Sequence, residues 1–169
     1  VRFETHVDWR QTHRMLRGEH RPTRYGPEAR CEIQMGHIRR ATTERDSVER
    51  AQFEVCAHRW LAVEDASGAG FAMLNDGKYG HRAKDGLLSL NLLRSPTFPD
   101  RTADRGEHAF VSAIRPYAPG ALHEVIADGY RLQAPPRLVP GRADALPSLV
   151  ASSDPGVVVE TIAPAYGSD

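Results

Sequence analysis

Charge of a single sign is missing from this sequence. The 22 Lys and Arg residues balance 22 Asp and Glu residues, so the formal net charge is zero. That balance supplies no electrostatic footprint for a nucleic-acid backbone, and no basic amphipathic stretch points to a membrane surface. No apolar run approaches the roughly 18 residues of a membrane span. Cysteine is scarce. The two present, Cys31 and Cys56, lie in strand-like runs at no metal-binding spacing, and read as buried free thiols rather than a disulfide. Aromatic residues make up only 7% of the chain, too few for an array of exposed stacking platforms. A secretory leader pattern is lacking, and so is an initiator methionine, so Val1 reads as a cut point and the absent leader says little about localisation. Nucleophile elbows, phosphate loops and zinc-finger spacings do not occur either.

What is present is alternation. VRFETHVDW places Val1, Phe3, Thr5, Val7 and Trp9 on one face and charged or polar residues on the other, the mark of a half-buried strand. HRMLRGEH is expected to pair with it as a hairpin. RCEIQMGHIRR alternates through Cys31, Ile33 and Met35, with Gly36 as a bulge. Residues 41–51 are polar and predict a solvated connection with one helical turn. Strands follow at 53–57, 60–63 and 71–74, and NDGKYGHRAKDG reads as a loop or long hairpin connection. LLSLNLLR is the near-continuous apolar run of a strand buried on both faces. SPTFPDRTADRG is an irregular loop, and EHAFVSAIRPY a further strand. ALHEVIADGYRLQ is the one convincing helix, near 121–131, with Leu122, Val125 and Ile126 on one face and Gly129 weakening its last turn. APPRLVPGRADALP reads as an extended surface connection, and LVASSDPGVVVETIAP as two short strands around a turn. These elements predict a mainly β protein, an antiparallel β-sandwich forming one domain over 1–169 and continuing beyond both ends.

The stretch from 71 to 110 concentrates polar groups at strand ends: Asn75, Asp76, Lys78, Tyr79, Arg94, Asp104, Arg105, Glu107 and His108. Loops on a rigid scaffold are where such groups usually carry function. Mixed donors and acceptors beside a Tyr ring suit sugar hydroxyls and the apolar face of a pyranose, although a tight turn with incidental side chains explains Asp76-Gly-Lys-Tyr-Gly80 equally well. Arg94 ends an apolar strand and needs a partner if buried: Asp100, Asp104 or Glu107, or a ligand. His6 and Asp8 share a strand face and could in principle bind a metal, but no third ligand is visible, and a solvated edge is the better reading. Glu19 and His20 are neighbours on a strand and point to opposite faces.

Beyond composition, NDGKYG, LSLNLLRSPTFPD and DRGEH, with FETHVDW and QFEVCAHRW before them and VVVETIAPAYGSD at the end, resemble the C-terminal region of glycoside hydrolase family 38 α-mannosidases. The chain looks closest to the bacterial and vacuolar or cytosolic branch, which implies a cytoplasmic location. The resemblance implies a fragment of a retaining, zinc-dependent exo-α-mannosidase acting on terminal α-linked mannose of oligosaccharides. Zinc and the catalytic carboxylates are then expected in an N-terminal domain outside this chain, with no cofactor in the fragment itself. What remains would be part of a larger, galactose-mutarotase-like super-sandwich that packs on the catalytic domain, its main partner, and walls the sugar pocket. A homo-oligomer is a further partner allowed for; nucleic acid and membrane are not. Tyr79, Arg94, Asp104, Arg105 and His108 are the substrate-wall candidates. A free-standing carbohydrate-binding module and a purely structural interdomain brace are the alternatives.

Overall fold

In the computed structural model the described residues are 1–138, 140–141 and 150–167. Two antiparallel sheets face each other. The larger contains β1 (Arg2–Trp9), β3 (Glu28–Ile33), β4 (Gly36–Ala41), β6 (Trp60–Glu64), β7 (Gly70–Asn75) and β10 (Gly106–Tyr117), in the order β1-β10-β7-β6-β3-β4. The smaller runs β2-β9-β8-β5, from β2 (Leu16–His20), β5 (Val55–Cys56), β8 (Gly80–Lys84) and β9 (Leu87–Leu93). Among the described residues two helices complete the set, α1 (Ser47–Ala51) and α2 (Leu122–Gln133). The predicted mainly β, antiparallel sandwich is what forms, and the predicted helix is α2.

Alternation explains the layers. In β6, Leu61 and Val63 point into the core between the sheets, where they meet Met73, Leu88, Leu90 and Cys31. The intervening Trp60 and Ala62 point the other way, into a second core with Ala72, Leu74, Tyr117 and Val125. α2 therefore closes the outer face of the large sheet, and β6 and β7 are apolar on both faces because both are covered. Each fully buried aliphatic side chain contributes roughly 1.5–3 kcal/mol. Gly129 lets the helix approach: a Cβ there would lie 3.1 Å from Trp60 Cδ1 and 3.3 Å from Arg59 Cβ. A polar cover lies over the outer face of the small sheet. Buried Lys84 donates from Nζ to the carbonyls of Thr43 (2.9 Å) and Glu49 (3.1 Å), and Arg82 and Arg17 pair with Glu44 and Glu54. Asp46 caps α1 by accepting the Glu49 N–H at 2.8 Å. Ser89 is thus buried opposite Leu88 and Leu90, and β9 is covered on both faces as expected.

Five local expectations are corrected. β1 and β2 are not a hairpin; they lie in different sheets and pair with β10 and β9, strands far downstream in both cases. The run 31–38 is two strands, because Met35 adopts a left-handed φ of 57°, Ile33 pairs with Gly36 and the chain reverses. Met35 is consequently 96% exposed, and Gly36 is no bulge. The segment after Asn75 contains β8, whose alternation is masked in sequence by inward His81 and outward Arg82 and Lys84. Cys31 is a buried free thiol, its pKa pushed up to about 12 by burial, whereas Cys56 is a free thiol but exposed. Among described residues 150–164 there is a turn but no strand: Asp154 accepts the Gly156 N–H and Val157 N–H. Alternation alone does not make a strand without a partner ladder. The chain divides into two units, Val1–Pro135 and Pro136–Asp169, and among the described residues all the regular elements belong to the first. Part of the proline-rich connection (139 and 142–149) lies outside the described residues.

Candidate functional site

Three connections meet at one rim of the sandwich: β1–β2, β7–β8 and β9–β10. The β7–β8 connection is a tight turn made by its own side chains. Buried Asn75 accepts the N–H groups of Gly77 (2.9 Å) and Lys78 (2.5 Å) at Oδ1, and donates from Nδ2 to the His58 carbonyl at 2.8 Å. Asp76 extends the sheet, its Oδ2 accepting the Val111 N–H at 2.9 Å and its own N–H donating to Val111 at 3.1 Å. These two groups serve the fold. Lys78 is left to place its ammonium 4.6 Å from the Phe110 ring centroid, and Tyr79 to lie edge-on against His58 at 5.2 Å, 56% exposed.

Arg94 follows β9 directly. Its N–H and that of Ser95 both donate to Asp104 Oδ2, at 2.9 and 2.8 Å. These two bonds hold the Asp104 carboxyl below the usual carboxylate range, with the Ser95 N–H the larger cause. Ser95 is fully buried. Its hydroxyl accepts the Trp9 indole N–H, and its carbonyl accepts the His13 N–H at 2.9 Å. His108 stacks on Phe110 with centroids 5.8 Å apart and makes a 2.9 Å hydrogen bond from Nε2 to the Asp104 carbonyl, which makes the ring nitrogen the donor. Arg105 sits in the turn before β10, exposed, its N–H bonded to Thr102 at 3.0 Å.

Of the five predicted wall residues, the fold brings Arg94, Asp104 and His108 together. Tyr79 joins a separate contact with His58, and the Arg105 side chain stands in solvent. Three residues of this rim escaped the sequence reading: Trp9, Ser95 and Arg14. The Trp9–Ser95 bond joins positions 86 apart, and a single sequence carries no signal for such a pairing. Arg14 lines, with His13, Arg94, Pro96, Thr97 and Phe98, an open cavity of about 430 Å³. Among the described residues the Arg14 and Arg94 guanidinium groups meet no carboxylate, and Phe98 is 86% exposed. Arg94 is exposed, and of the partners left open for it, Asp100, Asp104, Glu107 or a ligand, Asp104 is met by its backbone N–H.

The Asp104 carboxylate accepts two N–H donors at Oδ2 and is held below the usual carboxylate range, which is the opposite of what a general acid needs. Among the described residues no group of three or more His, Cys, Asp or Glu side chains could hold a metal ion. His6 and Asp8 line the solvent side of β1, where Asp8 pairs with Arg10 at 2.8 Å.

Residues 1–102 match the glycosyl hydrolases family 38 C-terminal domain. The chain is 40% identical over 173 residues to human alpha-mannosidase 2C1, covering 99% of this chain and 16% of that protein. It is 42% identical over 134 residues to alpha-mannosidase G of Dictyostelium discoideum, covering 78% of this chain and 12% of that protein. Among solved structures, an alpha-mannosidase from Enterococcus faecalis V583 superposes with a TM-score of 0.70 at 17% identity, over 79% of this chain and 16% of that one. That likeness speaks for the fold. The chain spans about a sixth of the length of the human relative and of the solved enzyme. Its matched region and its sandwich agree with the resemblance carried by LSLNLLRSPTFPD and DRGEH, and the chain belongs to glycosyl hydrolase family 38 as part of the C-terminal domain.

Proposed function

We propose that this domain serves a retaining, zinc-dependent exo-α-mannosidase by walling its sugar pocket without performing the chemistry. The observation that carries the proposal is Arg94: on a braced backbone it lines an open cavity, and its guanidinium meets no carboxylate among the described residues. A guanidinium fork without a protein partner is suited to sugar hydroxyls or to a carboxylate across a domain boundary. Among the described residues no group of three or more His, Cys, Asp or Glu side chains could hold zinc, and on this reading zinc and both catalytic carboxylates belong to the remainder of the parent. Tyr79 and Arg105, the other exposed members of the predicted set, are secondary candidates for the same wall. A cytoplasmic parent acting on terminal α-linked mannose remains our reading of the branch.

The test uses the full-length parent. Arg94→Ala is expected to lower kcat/KM on an aryl α-mannoside by about 10²-fold, the scale of a lost positioning contact, while zinc content is unchanged. Wild-type kinetics would remove Arg94 from the wall. A brace without substrate contact is favoured by one observation, that Asn75, Asp76 and Asp104 spend their polar groups on backbone. That reading predicts lowered stability with unaltered turnover in the folded variant.

A further inference from the structure

We propose that Asp104 is a positioning residue, acting through Arg94 rather than touching substrate; this rests on the wall reading above. The argument is one of contrast within a single segment. The backbone of Arg94 and Ser95 is fixed from three directions. Asp104 accepts both N–H groups at one carboxylate oxygen, Trp9 of β1 donates to the Ser95 hydroxyl, and His13 of the β1–β2 connection donates to the Ser95 carbonyl. Charge-assisted bonds of this kind are about twice as strong as neutral ones. Asp104 is itself anchored, since His108 Nε2 donates to its carbonyl at 2.9 Å.

Ser95 and Asp104 both adopt left-handed backbone, φ 51° and 60°. Neither is glycine, so each conformation persists only because the surroundings over-determine it, a pattern that clusters at functional sites. The side chain of Arg94 is treated in the opposite way. An acid lies within reach of its own backbone, yet the guanidinium makes no ion pair with it, and Arg94 lines the cavity with Arg14 and Thr97. A structural arginine in this place would be expected to use the neighbouring carboxylate. Here the carboxylate holds the main chain and leaves the cation to be presented. Asp104 thus moves from a substrate contact to the support of one.

The experiment is a double-mutant cycle in the full-length parent, read as kcat and KM on an aryl α-mannoside, with circular dichroism and thermal unfolding on each variant. Asp104→Ala is expected to lower kcat/KM by about tenfold or more, on the principle that misplacing a positioning group by about 1 Å costs rate. Asp104→Asn retains one acceptor oxygen and should fall between wild type and Ala; it also keeps the test available if the Ala variant does not fold. Combined with Arg94→Ala, either Asp104 substitution should add less than about a further twofold loss, the non-additivity of groups acting as one unit. Multiplying losses in the double variant would overturn the inference, as would wild-type kinetics in both Asp104 variants when Arg94→Ala is impaired. An unimpaired Arg94→Ala would instead sink the wall reading itself.

Discussion

His81 is fully enclosed between the sheets. Its Nδ1 lies 3.1 Å from the Tyr79 carbonyl, and its Nε2 lies 3.4 Å from Asn75 Nδ2. The first contact makes Nδ1 the donor, and the second makes Nε2 the acceptor of the Asn75 amide, so the pair specifies a neutral ring. Burial lowers its pKa from 6.5 to about 4, with the Tyr79 carbonyl opposing in part. The sign follows directly. As pH falls below about 6.5 the unfolded chain takes up this proton first, so the stability contribution is complete above that pH and is lost progressively down to about 4. The loss should reach about 3 kcal/mol at one pH unit per 1.36 kcal/mol. Denaturant unfolding across that window, with the His81 ring titrated by NMR, checks it; a ring that titrates near 6.5 would refute the assignment. His81 was legible in the sequence only as a loop residue, because an inward histidine breaks the apolar alternation by which strands are recognised.

Among elements, α2 shows how much packing exceeds propensity. The sequence stripe Leu122, Val125, Ile126 was readable, and Val125 is wholly buried in the second core. What was not readable is which sheet face it covers. Both β6 and β7 look simply apolar, and only the sheet order shows that Trp60, Ala62, Ala72 and Leu74 turn away from the small sheet. Val125→Ala removes two methyl groups from a fully packed position and should destabilise by about 2 kcal/mol. Val157→Ala, at an exposed position outside any strand, should change stability by less than about 0.5 kcal/mol. Comparing the two unfolding midpoints in denaturant tests the assignment, and equal effects would contradict it. The polar cover over the small sheet teaches the reverse lesson. Residues 41–51 looked solvated because they lack apolar side chains, yet Lys84 and Arg82 make them a layer through carbonyls and carboxylates.

For the whole molecule, the proposed wall role sets what the polar rim has to supply. A pocket wall needs donors, acceptors and apolar edges held in place, and the proton-transfer groups are assigned to the remainder of the parent. The isolated 169-residue chain is therefore expected to show no hydrolysis of an aryl α-mannoside, with or without added zinc. Zinc-dependent turnover by this chain alone would overturn the division of labour proposed here. Two open edges, β1 and β4, end the large sheet; of these β1 carries outward His6 and Asp8, the kind of charged edge that resists further pairing.

Period-two alternation, one amphipathic helix and glycine-rich turns were enough to determine an antiparallel sandwich, since they report which face of each element avoids water. Family membership was equally local, carried by contiguous runs such as LSLNLLRSPTFPD and DRGEH. Pairing was not. Trp9 meeting Ser95, β1 meeting β10, and Asp104 clasping the Arg94 backbone are long-range or backbone-directed contacts, and a residue's own pattern does not record its partner's position. Arg94 could be named from its place at the end of an apolar strand. That Asp104 holds its main chain, with Arg94 lining a cavity beside the β1–β2 connection, was decided only when the β9–β10 connection folded back on itself.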